Sequence, residues 1–473
     1  MSAPLHARRN LPLKLLRAEA QRLWREPRLR WLALLAPLLL LTVFLSSWQA
    51  ATGMAAERQQ FAAAERARWL AQGQKDPHSA AHFGVWAVKP ASPLQVLAPG
   101  VEPFVGLAVW LEAHKRNEMI FRPNQEADPI MRSATSVAQI FEVLGPLFAI
   151  LLGFAGFAQD RQRGTLRMAL GNGGTPGQLL LSRFGVMAGA LLVMALAPVA
   201  ALGWFALNTL PDAGWQGAGR LAIWCVLNFL YLLIFLLIAL IVSLKAPSAR
   251  AALSMMLAGW LLLCVIAPRA AVNTAQMLAP VPAYQAVRSQ TEREAPAYEN
   301  AGQWNARRAA LLKAKINPAD LRAAQLDQSE RDSHVVFDRT LGRFYDAVEQ
   351  QERAFGWLGV FSPTVALQAC SAAIAGTDFH QHRHFIDAAE SYRRAMVNRL
   401  NRELMQDKAQ HQQARAASAA ASMQFWQSIP AFDYRAPALG GVLAHAAAPI
   451  LLLPGWCALA ALLAWRAVQG VRP

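Results

Sequence analysis

The sequence predicts an all-α integral membrane protein. It would have six transmembrane helices, an N-terminal interfacial elbow helix and two large, mainly helical extracytoplasmic segments. Three observations lead there. Of the 473 residues, 55% are hydrophobic and only 16% are charged, whereas soluble chains carry about 25% charged residues. The apolar residues are gathered into blocks of about 20, the length that crosses a ~30 Å hydrocarbon core. No apolar–polar alternation of strand type dominates any stretch.

The elements follow in chain order. Residues 1–30 read as a basic amphipathic helix. Leu13, Leu16, Ala20, Leu23 and Trp24 share a face, while Lys14, Arg17, Gln21 and Arg25 lie off it. Such a helix lies in the membrane interface, and Pro27 ends it. The first span, 31–48, is too long an apolar run for a cleaved signal peptide and is expected to be a retained anchor. A first extracytoplasmic segment, 49–136, opens on Gln49–Gln74, a charged, Ala-rich continuation of the span helix. Residues 137–268 hold spans 2 to 5, centred on 140–158, 185–206, 221–244 and 251–268, with a loop at 159–183. A second extracytoplasmic domain, 269–436, is helical. Phe337, Leu341, Phe344 and Val348 make one apolar stripe, and Tyr392, Met396, Leu400 and Leu404 make another; both read as bundle core. Asn317-Pro318 fits a helix start. The last region, 437–473, carries span 6 with room for a re-entrant or interfacial stretch, then a short tail.

Orientation follows from the short loops. Arg8, Arg9, Lys14, Arg17, Arg22, Arg25, Arg28 and Arg30 precede span 1. Arg161, Arg163, Arg167 and Arg183 lie between spans 2 and 3, Lys245 and Arg250 between spans 4 and 5, and Arg466 and Arg472 after span 6. Basic residues stay on the cytoplasmic side, so both termini are expected there. The expected location is a bacterial inner membrane, with over half the chain in the periplasm.

Composition and motifs also exclude functions. The net charge of +16 is topological arginine beside apolar blocks, without the coherent basic patch of a nucleic-acid binder. Cys225, Cys264, Cys370 and Cys457 form no C-x-x-C pair, so neither a disulfide framework nor a zinc site is expected. The cluster Gly171-Asn172-Gly173-Gly174-Thr175-Pro176-Gly177 lacks the lysine of a phosphate loop and follows no strand. H-E-x-x-H and G-x-S-x-G are absent, so no enzyme is expected. Ion-coupled transporters place ionisable groups at mid-membrane. Here the span interiors offer only Glu142, near the outer end of span 2, which reads as an interface residue. Any energy for movement would then come from a partner.

Two further patterns bear on packing and metals. Gly145, Ala149 and Gly153 recur every four residues in span 2, as do Gly185 and Gly189 in span 3; such spacing lets helix backbones approach closely. His380 and His384 of His380-Gln381-His382-Arg383-His384 would share a helical face, a spacing that can chelate a transition metal. Arg383 and the lack of a matching ligand pair weigh against it, and the tract reads as a solvated helix start.

Span 2 runs into Asp160-Arg161-Gln162-Arg163-Gly164-Thr165-Leu166-Arg167, followed by a short amphipathic segment through Arg183. With the elbow helix and six spans, this stretch resembles the type-2 ABC transporter permeases. The resemblance implies a coupling helix that docks on a separate ATPase subunit, with Asp160, Arg161, Arg163, Gly164, Thr165, Leu166 and Arg167 transmitting its motion. Gln162 stands where many relatives carry an acidic residue. The strings Phe361-Ser362-Pro363, Ala375-Gly376-Thr377-Asp378, Glu390-Ser391-Tyr392-Arg393 and Ile429-Pro430-Ala431-Phe432-Asp433-Tyr434-Arg435 are similar to a branch of these permeases with large outer domains. The resemblance implies no cofactor in this chain, with ATP and Mg on the partner ATPase. It also implies a second permease copy or a related permease, membrane lipid and a periplasmic partner. Two alternatives stand beside the exporter expected here: a machine of the same type that works mechanically without a continuous pore, and a membrane-anchored sensor or scaffold.

Overall fold

Among the described residues, six helices are long and apolar enough to cross a membrane. The computed structural model describes residues 11–470 apart from 74, 76, 93, 107, 121–135, 173, 210–213, 297–299, 316–320 and 412–422. Arg8, Arg9, Gly173, Asn317, Pro318 and Arg472 of the sequence argument lie outside the described residues, as do the side chains of Leu13, Lys14, Arg28 and Leu404.

The elements begin with α1 (Leu11–Arg25), α2 (Pro27–Leu70) and α3 (Pro77–Phe83). Strands β1 (Val85–Val88), β2 (Ala108–Leu111) and β3 (Arg116–Ile120) follow. Span 2 is α4 (Val137–Gly153), which a turn connects to α5 (Ala158–Gln162) and α6 (Thr165–Gly171). Span 3 joins α7 (Pro176–Leu191) to α8 (Ala197–Thr209) through one π-helical turn, and span 4 is α9 (Gly214–Lys245). Span 5 joins α10 (Ala249–Trp260) to α11 (Ala267–Leu278) through a second π-helical turn. The polar domain then contains α12 (Tyr284–Glu294), α13 (Ala301–Lys313), α14 (Leu321–Trp357), α15 (Pro363–Ala375), α16 (Phe379–His411) and α17 (Met423–Ser428). The chain finishes with α18 (Leu439–His445) and α19 (Ala447–Gln469), the sixth span.

Span 4 is the axis of the bundle. Trp224, Tyr231, Leu232, Ile234, Phe235 and Leu240 along α9 are almost wholly buried, and α9 packs against α4, α15 and α19. The α4 glycines permit this approach. A Cβ on Gly145 would lie 2.8 Å from Leu232, and one on Gly153 2.8 Å from Cβ of Ala239. The Gly145–Ala149–Gly153 row therefore packs within the chain. In span 3 the corresponding pattern has no such partner: Gly185 faces Leu16 of α1 at 3.7 Å, and a Cβ on Gly189 meets nothing within 4 Å.

The α1, α5 and α6 helices sit at one end of the bundle and the two long segments at the other. The first span does not stop at the membrane. The 44 residues of α2 reach about 66 Å at 1.5 Å per residue, roughly twice the hydrocarbon thickness, so its second half is a stalk. The expected helical continuation through the Ala-rich region is present to Leu70. Span 5 likewise runs past Pro268 to Leu278.

The helical class stands, with one departure. The first long segment holds a three-stranded antiparallel sheet in the order β1-β2-β3, with Val85 opposite Leu111 and Ala108 opposite Ile120. Strands of four or five residues are too short for a period of two to stand out in sequence.

The two long segments also make a single body. Ala87, Val109 and Leu111 of the sheet pack with Leu341 and Tyr345 of α14 and Phe385, Ile386 and Ala389 of α16. Trp69 of the stalk meets Trp426 of α17 in a second core with Met396 and Leu400. Phe337, Leu341 and Phe344 of one sequence stripe and Tyr392, Met396 and Leu400 of the other serve this body's interior. Between these cores lies a buried ionic group. Glu330 of α14 lies 2.7 Å from His114 Nδ1 and 3.6 Å from Arg393, which pairs with Glu390 at 2.7 Å.

Candidate functional site

The end of span 2 is built from the backbone outward. The peptide N–H groups of Phe157 and Ala158 both donate to Ser243 Oγ, at 2.9 and 3.0 Å, which pins the turn to the end of span 4. Asp160 then faces inward and is only 8% exposed. It accepts from Arg22 of α1 at 2.8 Å, from Arg183 of α7 at 2.5 Å and from the Thr165 hydroxyl at 3.1 Å. Arg183 also donates to Glu19 at 2.9 Å and to the Gly156 carbonyl, and its guanidinium lies 4.4 Å over the Phe157 ring. One carboxylate thus ties together the elbow helix and spans 2 and 3. Arg161 donates to the carbonyls of Leu244 and Ala246, and Gln162 accepts from the Ala249 N–H at 3.4 Å. Those two residues fasten the loop to the link between spans 4 and 5.

The stretch Asp160–Arg167 therefore divides by role. Asp160 and Leu166 are buried and face the protein, whereas Arg163, Gly164, Thr165 and Arg167 are exposed. Gly164 adopts φ +73° ahead of α6, a left-handed conformation that costs other residues roughly 1–2 kcal/mol. The exposed face continues through Met168, which is 67% exposed. Its chemistry suits a protein partner: cations and one large apolar side chain on a braced frame. Nothing in the sequence spacing of the bracing groups Glu19, Arg22 and Arg183 marks them as neighbours of Asp160. On α1 the apolar face is also split. Leu15 and Leu23 pack on the bundle, while Trp24 is 72% exposed.

At the opposite end, α15 leaves the polar domain and enters the bundle. Ten of its 13 residues are buried, among α9, α19, α4 and the span-5 helix. An apolar run of 10–14 residues reads as a buried or re-entrant segment; that signal was present at 363–375. Two of the strings noted above are its ends. Ser362 caps the start and donates to the Leu263 carbonyl at 2.8 Å. Gly376, at φ +83°, closes the end, and Thr377 Oγ1 donates to the Ala98 carbonyl at 2.9 Å.

Polar side chains lock α15 to the spans. Trp224 Nε1 donates to Ser371 Oγ at 2.7 Å, and the Tyr231 hydroxyl lies 2.9 Å from Thr364 Oγ1 and donates to the Glu142 carbonyl at 2.6 Å. Gln368 Nε2 donates to the Glu142 carboxylate at 3.1 Å. Glu142 is 7% exposed, so it is an interior partner of α15 and does not face the membrane interface as expected.

The histidine tract diverges. His380 Nδ1 is 2.9 Å from Glu349, His384 Nδ1 is 3.0 Å from the Tyr434 hydroxyl, and His382 is 5% exposed. These three do not converge on a common point, and the helix start is only partly solvated.

The fold and this arrangement define a multi-pass helical membrane protein with a braced basic loop at one end and a polar domain inserted into the bundle at the other. Residues 283–435 match the model of a family described as a domain of unknown function, DUF3526. This match takes in all six helices of the polar domain, α12 to α17, and covers about a third of the chain. No curated protein matches the chain.

Proposed function

We propose that this chain is the membrane-spanning permease subunit of an ATP-driven ABC exporter, docked through Arg163–Met168 onto separate ATPase subunits. The observation that carries the reading is the exposed basic face held on a frame that reaches spans 2, 3 and 4 and the elbow helix through Asp160, Arg183 and Arg161. A push on that face moves all of them together. The chain itself supplies no phosphate loop, so ATP and Mg bind the partner. Six spans per chain call for a second copy or a related permease, within a lipid bilayer. By the distribution of Lys and Arg, the loop end is cytoplasmic and the polar domain periplasmic, in a bacterial inner membrane.

The test is copurification in detergent with the ATPases encoded nearby. The wild type should retain one of them, and Arg163→Glu with Arg167→Glu should release it while the permease stays folded. Failure of every neighbouring ATPase to bind sinks the proposal.

One observation favours a second reading, a mechanical machine of the same type. The helix α15 fills the bundle at the domain end and is bonded to spans 2, 4 and 5, so motion of the spans would carry the polar domain with them. Such a machine would act on a periplasmic partner or extract lipid without a continuous pore. ATP-dependent accumulation of a substrate in inverted vesicles removes this reading.

A further inference from the structure

Three potential metal ligands converge where the polar domain meets the last span. Glu352 lies near the end of α14, Asp378 immediately precedes α16, and His445 is the last residue of α18. One carboxylate oxygen from each acid and an imidazole nitrogen all lie within 4.8 Å of one another. Asp378 is 3% exposed.

The partners of these groups leave a deficit of positive charge. Asp378 Oδ1 accepts from the N–H and the side-chain amide of Gln381, at 3.1 and 2.9 Å. Gln381 is in turn held by Arg220 at 3.2 Å. Glu352 Oε1 accepts the Phe379 N–H at 3.2 Å, and the His380 N–H also reaches this carboxylate. Its Oε2 is buried and has no hydrogen-bond partner among the described residues. Neighbouring Glu349 does not share this condition, because Arg383 and His380 both reach it at 2.9 Å. An unanswered buried oxygen is unfavourable, more so if charged, and two close carboxylates repel. A dication would satisfy the oxygen and neutralise the pair.

We propose that Glu352, Asp378 and His445 bind a divalent transition cation, of the class of zinc, that clamps the base of the polar domain to the start of the sixth span. Carboxylate oxygen and imidazole nitrogen are donors that zinc accepts at about 2.0–2.2 Å, with three protein ligands leaving one position for water. Tetrahedral bonds of that length place donors about 3.4 Å apart, within reach of small side-chain rotations. His380 stacks on His445 with ring centroids 3.7 Å apart and planes 10° from parallel, and its Nδ1 is tied to Glu349. That contact orients the ligand ring, as outer-shell groups do. The histidine tract thus contributes one supporting residue, and the ligands come from elsewhere. The proposal does not depend on the ATP-driven reading.

The full chain, tag-free in detergent and stripped with chelator, would be titrated with zinc by calorimetry, with bound metal counted by mass spectrometry. One zinc per chain and a raised Tm are expected. Glu352→Gln, Asp378→Asn and His445→Gln should each weaken binding by at least about 100-fold, and His380→Ala by about tenfold, the scale of an outer-shell loss. His384→Ala should bind as the wild type does. His445→Gln changes a half-buried side chain and decides the matter if a buried-acid variant fails to fold. Binding below one equivalent, affinity unchanged in His445→Gln, or calcium binding as tightly as zinc overturns the proposal.

Discussion

Asp160 holds arginines from two different helices while itself nearly excluded from solvent, so its removal leaves the buried Arg183 short of a counter-charge. Breaking a buried pair by deleting one partner costs about 3–5 kcal/mol. Asp160→Ala should therefore lower the melting temperature of the solubilised chain strongly, whereas Arg163→Ala, on the exposed side, should change stability by less than about 0.5 kcal/mol. Equal melting of the two variants would contradict this division. A second residue-scale effect concerns pH. Burial, with Lys89 nearby, pushes the His382 imidazole down to about 3, against about 6.5 in an unfolded chain. The native state stays neutral while the unfolded state takes up a proton, so stability falls as pH drops from 6.5 toward 3, by up to about 1.4 kcal/mol per pH unit. Glu330, held low by hydrogen bonds from His114 and His334 and by Arg393 despite its burial, adds a loss of the same sign only below its unfolded value of about 4.3. Melting curves at pH 7.5, 6.5 and 5.5 should therefore show a decline that His382→Gln flattens.

At the scale of elements, α15 is the decisive piece. It is apolar on nearly every side, which by itself calls for burial, and its hydrogen bonds select the particular groove among the spans. Gln368 gives the Glu142 carboxylate its side-chain hydrogen bond. Gln368→Leu should cost about 1–3 kcal/mol by stranding that group. Glu142→Gln removes the buried charge, keeps an acceptor for Gln368, and should be neutral or stabilising. Thermal melting of both variants in lipid nanodiscs gives the comparison; a larger loss in Glu142→Gln than in Gln368→Leu would show that the charge itself stabilises the junction.

For the whole molecule, the polar domain is assembled from distant parts of the chain. Trp69, the β-sheet and Ala80–Ala81 complete cores whose other half comes from α14, α16 and α17. The matched region 283–435 also contains α15, whose partners are the spans. Expressed alone, that region should expose Phe385, Ile386, Leu400 and the apolar α15, bind hydrophobic dyes and aggregate. A monodisperse fragment that melts cooperatively would refute this account. The same assembly means that force applied at the braced loop has a continuous packed route through α4 and α9 to α15 and the polar domain.

The amino-acid sequence by itself determined which segments are long and apolar enough to cross a membrane, because hydropathy over about 20 residues is a local property. The continuation of α2 beyond its span, the helix at Leu11–Arg25 and the core stripes at Phe337–Phe344 and Tyr392–Leu400 were legible for the same reason, since helical periodicity is written in near neighbours. Tertiary structure alone decided what depends on residues far apart in the chain. Asp160 reads as part of an exposed charged loop until Arg22 and Arg183 are brought to it. Glu142 reads as an interface group until Gln368 arrives from a segment more than 200 residues away. The short strands, the fusion of two segments into one domain, and the meeting of Glu352, Asp378 and His445 share that cause: each is a long-range pairing with no local period to announce it.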